Sequence, residues 1–304
     1  MRIAITGGTG FVGRHLAERL DPDETVVVSR RTGVQIDDVD ALAAAFAGCD
    51  VVAHCAGINR ELGEQTFDRV HVAGTRAVVE AARRAGVKRI VMVSFLRARP
   101  DCGSRYHETK WDAEELIRAS GIPHTILKFG MIYGPGDHMI DHVTRAVRTL
   151  PAFATVGFRE RNVRPVPVED AVDVLIAALE GRVPDPTVAV MGADELALGE
   201  AVRRIARVAG RRPVFFPAPV WTIRALAQLT EWTMVVPLVA KAQARMLNEG
   251  VSAPAPYAPE LPVDLRPSRG FDDERIRAAL PAGGFGIDDL RFVGRRSRRL
   301  RVAS

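Results

Sequence analysis

The 304-residue sequence predicts an α/β protein, a doubly wound parallel sheet with a small C-terminal lobe. Three observations predict it. Apolar, β-branched runs alternate with helical patterns as far as residue 129. A glycine-spaced turn separates the first run from the first helical pattern. The alternation loosens after about residue 135, where prolines cluster.

The buried strands are expected at "RIAIT" (2–6), "TVVVS" (25–29), "DVVAH" (50–54), "RIVMVS" (89–94) and "HTILKF" (124–129). The intervening segments "VGRHLAERL", "DVDALAAAFAG", "FDRVHVAGTRAVVEAARRAG" and "YHETKWDAEELIRASG" carry helical period, and the last three end at glycine stops. Such alternation implies right-handed crossovers between parallel strands. Residues 1–180 are expected to form the main domain. The small lobe is expected from 181–294, with a contribution from 135–160. Residues 295–304, "RRSRRLRVAS", are expected to be a disordered basic tail.

Net charge is +5, and that tail carries five arginines and no acid, so the rest of the chain is neutral. A basic face over the folded part, which nucleic-acid binding needs, is not indicated. The three cysteines, Cys49, Cys55 and Cys102, lack metal-type spacing, and their odd number argues against a disulfide framework. With no signal-like start, a reduced, cytoplasmic protein is expected. Residues 218–247 are strongly apolar, but the longest uncharged stretch there, 232–240, contains Pro237 and is too short to span a bilayer. A helical pair packing the lobe, an apolar lid over a lipophilic substrate and a membrane-surface contact all fit this pattern.

The turn "TGGTGFVG" places Gly7, Thr9, Gly10, Phe11, Val12 and Gly13 between a strand and a helix start. Gly7 permits the tight turn, Gly10 lets backbone approach a pyrophosphate, and Gly13 allows close helix–strand packing. The helix N-terminus offers free N–H groups to phosphate oxygens. This points to a Rossmann-type dinucleotide site. An NAD site usually carries an acid at the end of the second strand. Here Ser29, Arg30 and Arg31 stand there, and a guanidinium can fork onto a 2′-phosphate. NADP(H) is therefore expected in preference to NAD(H); the plainer reading has both arginines facing solvent. Downstream, Tyr106 and Lys110 share one helix face at i,i+4. A free tyrosine has a pKa of about 10, and a nearby ammonium lowers it, so Tyr106 is expected to exchange a proton with a substrate oxygen.

The glycine loop, "HCAG" (54–57), "VHVAGT" (70–75), "VKRIVMVS" (87–94), "YHETK" (106–110) and "GMIYGPGD" (130–137) occur in one order. Together they resemble the short-chain dehydrogenase/reductase superfamily in its extended and atypical branches, over about residues 1–180. Within it the chain looks most like relatives of the nucleotide-binding accessory subunit of respiratory complex I. The resemblance implies a catalytic pair, Tyr106 and Lys110, with Lys110 also holding the cofactor ribose. It puts Gln35 and Ile36 beside the adenine, Ala56 and Gly57 along the ribose, Ser94 near the cofactor, and Phe129, Gly130 and Ile132 at the nicotinamide. His71 stands where the family commonly has Asn. The substrate-orienting Ser or Thr beyond the strand is replaced by Phe95 or Leu96, and Ser94, Cys102 and Ser104 stand nearby without a clear claim to that role.

Other positions are weaker. Asp137, His138, Asp141 and His142 could form an HxxxH metal face, but "GPGD" belongs to the family pattern and no metal is expected. Arg164 could face a substrate or serve structure, and Glu169 or Asp170 reads as a helix cap. Two functions remain open. One is an oxidoreductase or epimerase acting on a carbonyl or alcohol of a small molecule, a lipophilic one if residues 218–247 form a lid. The other is a non-catalytic NADPH-holding accessory or sensor protein with a protein partner.

Overall fold

The computed structural model describes residues 1–156, 161–233 and 249–284. Strands β1 (Ile3–Thr6), β2 (Thr25–Val28), β3 (Val51–His54), β4 (Arg89–Phe95) and β5 (His124–Phe129) fall on the apolar runs. Helices α1 (Phe11–Arg19), α2 (Val39–Phe46), α3 (Gly74–Ala85) and α4 (Arg105–Arg118) connect them. A π-helical turn, Asp68–Ala73, leads into α3. The later elements are β6 (Ile132–Tyr133), α5 (His138–Thr149), β7 (Ala152–Val156), β8 (Asn162–Val163), β9 (Val166–Pro167), α6 (Val168–Leu179), β10 (Thr187–Val190), β11 (Leu196–Ala197), α7 (Leu198–Val208), β12 (Val214–Ala218) and α8 (Val220–Thr233). A last described helix spans Asp273–Ala279.

Six strands form one sheet in the order β10-β5-β4-β3-β1-β2, and every pairing is parallel. The strand order reverses between β1 and β3. In open parallel sheets a ligand crevice lies outside the carboxyl ends of the strands at that point. Residues 187–190, placed by the sequence reading in the small lobe, instead supply the sixth strand beside β5.

The chain divides into two compact units, 1–132 with 164–193 and 252–270, and 133–163 with 194–251 and 271–304. In the first unit β1 turns Ile3 and Ile5 toward α1 and α6, where Leu16, Val172 and Leu175 are buried. Ala4 turns the other way, among Leu42, Phe46, Val78, Met92 and Ile117. Burial on both faces explains why these strands read as continuous apolar runs. Asp38 caps α2 by accepting from Ala41 N at 3.0 Å, a contact worth about 1 kcal/mol. The expected cap of α6 is corrected. No side chain caps that helix, because Asp170 accepts instead from Ser268 N and Arg269 N, both at 2.9 Å, and pairs with the Arg269 guanidinium. Two backbone amides and a cation hold this carboxylate more firmly than a single cap contact.

In the second unit, Asp137 caps α5 by accepting from Met139 N at 2.6 Å and Ile140 N at 2.8 Å. β7 and β12 form a parallel pair, and Tyr133 meets Phe271 edge-on at 4.8 Å. Among the described residues no helix is long and apolar enough to cross a membrane. Of the apolar stretch 218–247, the part from 234 on lies outside the described residues, as do Lys241 and the arginine tail.

Candidate active site

β1 ends at Thr6, and Gly7 turns the chain with φ +67°. A Cβ on Gly7 would stand 2.7 Å from Ala56 Cα, and one on Gly13 would stand 2.4 Å from Gly7 O. Both separations are below real contact distances, so glycine alone fits these two positions. Gly10 N donates to Gly7 O at 2.8 Å and closes the turn. Gly10 is the N-cap of α1 and supplies no side-chain acceptor. The first N–H groups of α1, at Phe11, Val12 and Gly13, therefore remain available to an anion. The bare cradle and the uncapped helix fit a dinucleotide diphosphate. Phe11 and Val12 are half-buried, Val12 packs on the core and Thr9 is partly exposed.

At the end of β3, His54 is bridged between Thr6 Oγ1 at 2.7 Å and Thr75 Oγ1 at 3.0 Å. Burial, aided by the Lys110 charge, pulls its pKa down to about 3, so it is a neutral spacer. Burial pushes the Cys55 thiol up to about 12, which removes it as a nucleophile. Ala56 and Gly57 follow, against the glycine loop on one side and Lys110 on the other. A Cβ on Gly57 would lie 3.0 Å from Lys110 Nζ and 3.8 Å from His71 Nε2.

Helix α4 carries Tyr106 and Lys110. Lys110 is buried, and its ammonium donates to Val93 O at 3.3 Å. Burial pulls its pKa down to about 8, against an upward pull from Glu114. His71, on the π turn, meets Thr109 Oγ1 at 3.0 Å. The Thr109 hydroxyl donates to Arg105 O at 2.7 Å. His71 Nε2 lies 3.0 Å from Ile58 O and 3.2 Å from Ile58 N, so both ring nitrogens are engaged. His71 is neutral, held well below its usual pKa by burial and by Lys110.

Tyr106 is half-buried with its ring among Phe95, Phe67 and His71 at centroid distances of 5.3, 5.6 and 5.8 Å. Its hydroxyl makes no hydrogen bond among the described residues. The expected lowering of its pKa is corrected: burial raises it, and no opposing pull from Lys110 is resolved. Tyr106 is a neutral phenol, the state that donates a proton.

Phe95, one of the two residues expected where a substrate-orienting hydroxyl would stand, packs on the Tyr106 ring. Leu96 is buried, with its N–H on Phe129 O at 2.7 Å. The Ser94 hydroxyl is committed within the protein, donating to Glu114 Oε1 at 2.5 Å. That carboxylate also takes Lys128 Nζ at 2.9 Å and Arg118 at 2.8 Å, in a buried cluster that sequence reading missed. The Glu114–Arg118 spacing of i,i+4 was its one visible signal. Phe129 is a core residue, while Gly130 and Ile132 are partly exposed. Gln35 is exposed, and Ile36 packs where a Cβ on Gly74 would come within 2.9 Å. Ser104 contacts His107 Nδ1 at 2.7 Å, and Arg164 donates to Gly192 O at 2.9 Å. Among the described residues no group of three or more metal-type ligands gathers.

A family model described as NAD(P)H-binding matches residues 7–149. The solved structure of MoeE5 with UDP-glucuronic acid and NAD superposes with a TM-score of 0.67 at 21% identity, covering 92% of this chain and 97% of that one. The UDP-glucuronic acid 4-epimerase of Bacillus cereus, with NAD, gives 0.64 at 16% identity over 92% and 97%. The chain shares the fold of these two structures over nearly its whole length. Among curated proteins, the ceramide reductase of Caulobacter vibrioides is 34% identical over 191 residues, 58% of this chain and 60% of that protein. An uncharacterised protein of Mycobacterium tuberculosis is 30% identical over 234 residues, 72% of this chain and 24% of that protein. The chain thus spans less than two thirds of these relatives.

The expected NADP(H) preference is overturned within this fold. The epimerase and MoeE5 complexes hold NAD. In this chain Arg30 and Arg31 are exposed on a 3-10 turn, and the Ser29 hydroxyl is engaged by Thr32 N at 3.3 Å.

Proposed function

We propose that the protein reduces a lipophilic ketone with a nicotinamide dinucleotide, and that Tyr106 is the proton donor. One observation carries this reading: a neutral Tyr106 phenol with an uncommitted hydroxyl on the same helix face as the buried Lys110. Bound at the glycine cradle, the reduced dinucleotide supplies the hydride for the carbonyl carbon. The carbonyl π pair moves onto oxygen, which takes the Tyr106 proton and becomes a hydroxyl. The Lys110 ammonium beside Gly57 would hold the ribose hydroxyls of a bound dinucleotide and would stabilise the Tyr106 phenolate left by proton transfer. His71, fixed by Thr109 and Ile58, keeps the loop after β3 in place. Phe95 gives this site an apolar wall where the family places a hydroxyl, which favours an aliphatic ketone over a sugar. The name of the Caulobacter relative, a ceramide reductase, points the same way.

The same Phe95 favours a second reading, a dinucleotide holder without turnover, in keeping with the sequence likeness to relatives of the complex I accessory subunit. Consumption of NADH against long-chain ketones in detergent, short soluble ketones and sugar nucleotides separates the two. Turnover of long-chain ketones alone supports the reductase. NADH binding without turnover of any of them supports the holder.

A further inference from the structure

The described part of the second unit has an outward face with the wrong polarity for water. On α8, Ile223, Ala227 and Thr230 are buried, and Ile223 packs with Ala218 against Ala154. These residues mark the inward side of the helix. The opposite side presents Trp221 at 72% exposure, Leu229 at 55%, Leu226 at 38% and Ala225. A helix packed on a protein and facing water shows polar residues there. β12 repeats the pattern, because Phe215 turns toward Phe153 at 5.9 Å while Val214 is 68% and Phe216 46% exposed. Strand and helix are joined through Ala218–Pro219, so both outward apolar sets belong to one continuous segment.

The charge around these residues is net basic. Arg211 and Arg212 are exposed at the start of the segment, and residues 209–233 contain three arginines against one acid, Glu231. The sequence from 234 to 249 adds Lys241 and Arg245 against Glu249, and 295–304 adds five arginines and no acid. A tryptophan-bearing apolar stripe flanked by basic residues is the composition of an element lying at a bilayer interface.

We infer that the β12–α8 segment docks on the surface of an anionic lipid bilayer. Trp221, Leu226, Leu229 and Phe216 enter the headgroup–acyl boundary, and the arginines meet the lipid phosphates. Charge complementarity selects this occupant: a second copy of the chain would set the same basic flanks against each other, whereas an anionic bilayer supplies the opposite charge. The inference stands on the second unit alone and does not need the reductase reading.

Sedimentation of the full chain with vesicles tests it. The protein should pellet with vesicles of equal parts phosphatidylglycerol and phosphatidylcholine, remain in solution with phosphatidylcholine alone, and be released by high salt. The double variant Trp221→Glu, Leu229→Glu alters only exposed positions, so it should keep the parent's circular dichroism and melting temperature. Its vesicle affinity should fall at least about tenfold. No pelleting of the parent, or equal pelleting of parent and variant, overturns the inference. So does a parent dimer in solution that the variant breaks, since the face would then join two copies. Protection of Trp221 from acrylamide quenching without lipid, read as parent minus Trp221→Phe, also overturns it, since the chain would be covering its own face.

Discussion

Replacing Lys110 by methionine exchanges a buried ammonium for a neutral side chain of similar length. In the folded protein Lys110 titrates at about 8, against 10.5 when exposed. Holding the charge therefore costs the folded state roughly 3 kcal/mol at neutral pH, a net cost that already includes the favourable pulls of Glu114 and Cys55. Below about pH 8 both states carry the proton, and Lys110 contributes no slope. Between 8 and 10.5 the unfolded chain binds more protons, so stability rises with pH and the cost disappears. Without cofactor, Lys110→Met should be more stable than the parent by about 1–3 kcal/mol at neutral pH. The gap should close toward pH 10.5. Urea unfolding across this range measures it. With saturating NADH the order should reverse, because the ammonium then has ribose partners and the methionine has none. A variant less stable than the parent at neutral pH, with a gap independent of pH, would refute the assigned environment of Lys110.

Other substitutions probe the rest of the site. Gly13→Ala forces a Cβ to within 2.4 Å of Gly7 O. It should cost about 1–3 kcal/mol and abolish dinucleotide binding, read by melting temperature with and without NADH. Gly10→Val should abolish binding while leaving the far-UV circular dichroism unchanged, because its branched side chain fills the diphosphate cradle. Glu114→Ala leaves Lys128 buried without its carboxylate and should cost about 3–5 kcal/mol; the double change with Lys128→Met should restore most of it in urea unfolding.

The parts legible in the sequence are those whose signal is local. "HTILKF" became β5 residue for residue, because six apolar-rich residues bounded by a proline and a glycine leave few alternatives. The glycine turn was legible because each glycine answers a backbone demand within seven residues. Long-range contacts were not. Ser94, Glu114, Arg118 and Lys128 have no common period, and only the β4–β5 pairing with α4 packed against it brings them together. The π turn at Asp68–Ala73 shares its apolar spacing with an ordinary helix, so His71 could be placed in the family pattern but not oriented. Asp170 could not be assigned because its partners, Ser268 and Arg269, lie almost a hundred positions away. The Tyr106 shift was misread because a four-residue spacing shows that two side chains share a face, whereas burial by Phe67 and Phe95 decides the pKa.

The central claim is that Tyr106 donates the proton in ketone reduction. The most direct measurement compares parent and Tyr106→Phe in NADH affinity, by titration, and in single-turnover reduction of the best long-chain ketone. The predicted result is unchanged affinity with reduction slowed about 10²–10⁴-fold. Reduction at the parent's rate by Tyr106→Phe would contradict it.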